Sequence, residues 1–164
     1  MRSVVLSTAV SAAGFVVISF ASAISAERPW LSITMVPIAF AIGWGISALV
    51  GGISGLWDRQ VEDARARPAA EVEATARTVL VVAGGVILTV AVVVALVVLL
   101  ADATAASNAL ATVAGMQTFG AQRYARWERE SGRRLLAETR WRVGVRRPLV
   151  AVPASAVTPA TGGG

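Results

Sequence analysis

The chain has 164 residues, 55% of them hydrophobic and 15% charged, and all fifteen of its basic residues are arginine, for a net charge of +5. With a mean hydropathy of +0.67, it has too little polar surface for a soluble domain of this size. Cysteine and histidine are both missing, which excludes disulfides, thiol chemistry, zinc or haem ligation through these residues, and imidazole general-base catalysis.

Three stretches, about 3–26, 33–57 and 78–101, are nearly free of charge. A hydrocarbon core of ~30 Å needs ~20 apolar residues at the helical rise, so each predicts a transmembrane helix. Nothing alternates polar and apolar as a barrel strand would. The first stretch has a second reading as a secretory signal peptide, with Arg2 as a basic start and Ala21, Ser22 and Ala23 as a small-residue cleavage pattern. Its apolar part is longer than the usual ~7–15 residues, which favours an uncleaved helix.

In the second stretch Ala39, Gly43, Ser47, Gly51 and Gly55 recur every four residues. They predict a smooth helix face that lets another helix approach closely, within the chain or from a partner. Trp30 and Trp57 bracket the stretch. Their separation along a helix is about 40 Å, the distance between the two headgroup zones, so they read as interface anchors. Trp44 falls between them, in a bundle contact or against lipid, and Pro37 marks a packing feature or a kink.

The connection 58–77 mixes arginine and acid and reads as a solvated loop, with Pro68 at the first turn of a helix that runs through Glu71 and Glu73. The third stretch is rich in valine and suits contact with acyl chains. Residues 103–122 are only weakly apolar, and the distribution of arginine argues that they too cross the bilayer. Four helices with the N-terminus inside leave only Arg28 outside; three helices put Arg2, Arg59, Arg65, Arg67 and Arg77 on the outer side. The positive-inside rule favours four. Asp102, Ser107 or Asn108 would then cap the returning helix. Ser107, Ala111 and Gly115 form a second small ridge, and Asn108 and Gln117 are candidates for polar contact inside the membrane.

After residue 122 arginines alternate with aromatic and aliphatic residues. Arg123, Tyr124, Arg126, Trp127, Arg133, Arg134 and Trp141 predict, over 123–147, an amphipathic helix at the cytoplasmic headgroup boundary, touching anionic lipid or an acidic partner. Interleaved Glu128, Glu130 and Glu138 argue against nucleic acid as a partner. From 148 to 164, proline, alanine, threonine and glycine predict a flexible tail.

No constellation for catalysis appears. Gly51 to Gly55 lacks the lysine and the strand-to-helix setting of a phosphate loop, and Glu71 and Glu73 have no further ligand beside them for a metal. No cofactor is expected. The expected fold is an all-α integral membrane protein: four transmembrane helices within 1–122, a basic C-terminal helix on the cytoplasmic side, and both termini in the cytoplasm of a bacterium. Such a protein suits a non-catalytic accessory or assembly subunit of an inner-membrane complex, with other membrane subunits and anionic lipids as partners. A self-assembling, holin-like pore or a small homo-oligomeric transporter is the alternative.

Overall fold

A computed structural model describes residues 1–54, 56–100, 103–137 and 149–159, with side chains given except at 52–54, 56–58, 89, 91–100 and 159. The chain is mostly helical. In order it forms β1 (Arg2–Ser3), α1 (Val4–Ile24), α2 (Pro29–Ser54), α3 (Leu56–Glu62), β2 (Arg65–Ala66), β3 (Ala70–Val72), α4 (Thr75–Leu100), α5 (Ala103–Ser131), β4 (Arg133–Ala137), β5 (Leu149–Pro153) and β6 (Val157–Pro159). Among the described residues, Val4–Ile24 and Pro29–Gly51 are long and apolar enough to cross a membrane.

The weakly apolar α5 is the centre of the helical layer. It packs along both α1 and α2, while α4 lies mainly against α1. Small side chains explain its place: Ala106, Ser107, Ala111, Ala114 and Gly115 are all buried, and residues of this size let helix backbones approach closely. Gly115 meets α2 where a Cβ would fall on the Phe40 carbonyl oxygen and 2.8 Å from the Trp44 nitrogen. Gly43 meets α5 where a Cβ would fall on the Thr112 carbonyl oxygen. Hydrogen bonds also tie the layer together, among them those from the Ser107 hydroxyl to the Ser19 carbonyl (2.9 Å) and between the Ser32 and Thr104 hydroxyls (3.0 Å). On the other side Gly14 of α1 receives Val86 of α4, and Val86, Val90 and Leu110 form a small core there.

The structure departs from an all-α expectation at one end. β1, β4, β5 and β2 form a four-stranded sheet in that order, and β3 pairs with β6 in parallel. β4 is antiparallel to both β1 and β5, and β2 runs parallel to β5. These strands bring together the start of α1, the segment between α3 and α4, and the chain beyond α5. A hydrogen-bonded ion pair, Arg2 Nε to Glu73 at 2.7 Å, and the Met1 amine donating to the Glu71 carbonyl at 3.0 Å fasten the same end. Arg28 lies in the turn between α1 and α2, at the other end of the helices.

The expected amphipathic helix over 123–147 is therefore corrected over 123–137, while 138–147 lie outside the described residues. α5 runs unbroken to Ser131, and Gly132, at φ 63°, ends it in the left-handed conformation that glycine adopts without strain. In the strand that follows, Leu135 and Leu136 point to opposite faces and both are fully buried. Leu135 joins Val4, Val61 and Tyr124, and Leu136 joins Val150 and Val152. The expected flexible tail is also corrected over 149–159, because the apolar run Leu149 to Val152 has the buried face of Leu136 to pair with. The connection 58–77 is not simply solvated, since it holds the end of α3 with β2 and β3, and the helix expected from Pro68 begins only at Thr75. Ser107 and Asn108 lie inside α5, one turn past its start, and so do not cap it.

Candidate functional site

The positions singled out in the sequence separate into those that hold the fold together and those that face outward. Ala39 and Gly51 are buried and Ser47 is half-buried, and Gly43 sits at the α2–α5 crossing. At Ala39 and Gly43 the small face of α2 is used inside the chain: Ala39 shares a core with Ala111. Ser107, Ala111 and Gly115 are buried on the opposing helix. Trp30 is 82% exposed at the start of α2. Gly55, Trp141 and the Trp57 side chain lie outside the described residues.

Asn108 and Gln117 are not brought together. Nine residues apart on one helix, they fall on opposite sides of it. The Asn108 Oδ1 is buried with no hydrogen-bond partner among the described residues, and Gln117 is half-buried. A single polar path through both is not built.

Tyr124 and Trp127, expected at lipid or a partner, instead pack inward. Tyr124 is buried against Val4, Val61 and Leu135, with Trp127 beside them. Its hydroxyl donates to Gln60 at 3.4 Å, and burial raises its pKa above the ordinary phenol value.

Outward from this core, the last three turns of α5 present one ridge: Phe119, Gln122, Arg123, Arg126 and Arg129, at three- and four-residue steps. Trp44 of α2 leans on it. The Trp44 and Phe119 rings meet edge to face with centroids 5.4 Å apart at 88°, and the indole N–H donates to Gln122 Oε1 at 3.2 Å. Together these residues line a cleft of about 400 Å³, with Arg123, Arg126 and Arg129 on its wall and no acidic residue among its described lining. Arg126 is 68% exposed and reaches Glu130 only at 4.0 Å, and Arg129 Nε donates to the Ala125 carbonyl of its own helix at 3.2 Å.

Two further concavities adjoin it. One, of about 530 Å³, lies between α5 and β4 and is lined by Glu128, Arg129, Arg133 and Arg134 with two alanines. Here Glu128 accepts the Leu135 N–H at 2.7 Å, and burial raises its carboxyl above the usual carboxylate range despite that bond and nearby Arg134. The other is an apolar groove of about 620 Å³ between α1 and α5, bordered on α2 by Phe40. It runs past Val5, Ala9, Ala13 and Val17 on α1 and past Thr118, Ala121 and Gln122 on α5. Gln122 lines both this groove and the arginine cleft.

The chemistry available is recognition of negative charge beside an apolar surface. Among the described residues no three His, Cys, Asp or Glu side chains gather as a metal site. Trp44, expected in a bundle contact or against lipid, meets Phe119 and Gln122 of α5; Gln122 was not among the expected contact residues, though the ridge from Phe119 to Arg129 is visible in the sequence once α5 is taken as one continuous helix. No family model, curated protein or solved structure matches the chain.

Proposed function

We propose that the chain is a four-span protein of a bacterial inner membrane, with the strand-bearing end in the cytoplasm, and that it serves as a non-catalytic accessory or assembly subunit of a larger complex. The observation that carries the membrane part is the pairing of one basic end with bare aliphatic flanks. Val17, Ile24, Leu49, Leu80 and Leu88 are each 65 to 73% exposed. Only 17% of the apolar window in either α1 or α2 is buried, whereas the core helix of a soluble protein is mostly covered. Exposed apolar surface on this scale needs lipid or protein against it. The basic segments, drawn to one end by β1, β2, β4 and β5, match the positive-inside rule for four spans.

The subunit reading draws support from α4. It sits at the edge of the bundle, and nothing within 4 Å would meet a Cβ on Gly84, which lies exposed between Leu80 and Leu88. A helix from another protein can approach closely at such a position.

The test is mass spectrometry of everything that co-purifies with the tagged protein in mild detergent at native expression level. Defined partners at fixed ratio are expected. A self-only oligomer that releases dye from liposomes would replace this reading with a pore, and a lone monodisperse monomer would remove both.

A further inference from the structure

Of the three concavities, the cleft under Trp44 has unbalanced charge. The neighbouring cleft holds Glu128 among its arginines and shares Arg129 with this one, whereas among the described residues no acid lines the space bordered by Arg126 and Arg129, and Arg126 meets Glu130 only at 4.0 Å along its own helix. The groove that meets this cleft at Gln122 is lined almost wholly by aliphatic and small side chains. Its one hydroxyl, on Thr118, is turned back to the Ala114 carbonyl at 2.9 Å. From Val5 to Val17 the groove follows α1 for about 18 Å, close to the ~15 Å depth of one leaflet. The arginines lie just beyond the apolar part of α5, at the level of Arg2 and the sheet, where headgroups would sit.

We propose that this cleft and groove together hold one anionic phospholipid of the cytoplasmic leaflet. Its phosphate lies against Arg126 and Arg129 beside the Trp44 ring, and one acyl chain lies along Val5, Ala9, Ala13 and Val17. The proposal rests on the membrane reading. One feature favours a lipid over a soluble anion: the cleft meets a long apolar groove at Gln122, so a single molecule with a charged head and an apolar chain can occupy both. Arginine suits phosphate because its planar fork donates two parallel hydrogen bonds, and a bound lipid would cover side chains that α2 leaves bare toward this end.

The full-length protein is purified in mild detergent, incubated with equal phosphatidylglycerol and phosphatidylcholine, and read by native mass spectrometry for retained lipid. Wild type and R133Q/R134Q retain phosphatidylglycerol preferentially. R126Q/R129Q loses about thirtyfold of that preference, from roughly 1 kcal/mol for each arginine at an anionic surface, and R126K/R129K, which keeps the charge but not the planar fork, loses less. A9L/A13L fills the groove and loses bound lipid although both arginines remain. Circular dichroism and resistance of the membrane fraction to carbonate are measured on every variant. Equal retention of the two lipids by carbonate-resistant wild type overturns the lipid site and leaves the membrane reading standing. Unchanged preference in a helical R126Q/R129Q does the same, and so does displacement of the lipid by millimolar glycerol phosphate. Extraction of wild type by carbonate overturns the membrane reading itself.

Discussion

Replacing Gly115 with alanine places a methyl group on the Phe40 carbonyl and 2.8 Å from the Trp44 nitrogen, both of them backbone atoms in the middle of a helix. Backbone cannot rotate aside as a side chain can, so α2 and α5 have to part by about 1 Å to restore ordinary contact distances. Overpacking of this kind costs about 1–3 kcal/mol, offset by at most ~1 kcal/mol from the better helix propensity of alanine. A net loss of about 1–2 kcal/mol is expected for G115A, and the same for G43A, whose methyl meets the Thr112 carbonyl. Both substitutions part the same crossing, so G43A/G115A loses less than their sum. G45A and G84A serve as controls, because nothing within 4 Å would meet a Cβ at either position, and each stays at or slightly above wild type. Unfolding in mixed detergent micelles followed by tryptophan fluorescence gives the comparison, with Trp44 reporting on the crossing itself. Equal tolerance of alanine at 43, 45, 84 and 115 would refute the close approach of α2 and α5.

Three further outcomes concern the strand-bearing end. The hydrogen bond from Arg2 holds the Glu73 carboxyl below its ordinary pKa. Its stabilisation is therefore complete above that ordinary value, ~4.3, and is lost as pH falls through the lowered folded value. E73Q is expected to lose about 1–2 kcal/mol at pH 7 and to melt with a flatter dependence between pH 5 and 3 than wild type. Glu128 has the opposite sign: its raised folded pKa means that stability falls as pH rises from the ordinary carboxylate value through the raised one. E128Q keeps an acceptor for the Leu135 N–H and melts at or above wild type at pH 7. E128A strands that donor and costs about 1–3 kcal/mol; thermal melts at two pH values separate the pair. Leu136 is fully buried between strands, so L136A loses about 2–5 kcal/mol and speeds proteolysis between residues 55 and 74, whereas exposed R133Q stays within about 0.5 kcal/mol of wild type.

The long apolar helices were legible because hydropathy is a local property: the stretches read as 3–26, 33–57 and 78–101 differ from α1, α2 and α4 by only a few residues at each end. The helical character of 103–122 was visible only through the placement of arginine, since Thr104, Ser107, Asn108 and Thr112 lower its hydropathy. What makes this helix suit the middle is the small size of Ala111, Ala114 and Gly115 rather than their polarity. The strands were hidden for a different reason. Arg65–Ala66 and Arg2–Ser3 are two residues long and are defined by Val150, Ala151, Leu136 and Ala137 far away in sequence, so no window around either contains the signal. Leu135 and Leu136 side by side resemble neither an alternating strand nor a helix stripe, because each is buried on its own face. Pro153 and Pro159 suggested disorder although both stand in strands. Trp44 and Gln122 come together only through the α2–α5 crossing, which the glycines announce but whose register they do not specify.

The order in which the sheet is made has a consequence for biogenesis. β2 and β3 leave the ribosome well before β5 and β6, so their edges stay open while α4 and α5 are being made. In a bilayer, each contributing segment reaches the cap only if the helix beside it has been threaded in the correct direction. One inverted helical hairpin would strand its piece of sheet on the far side of the membrane. On the four-span reading, closure of the cap would therefore depend on correct topology, and a misthreaded copy would be left with unpaired strand edges.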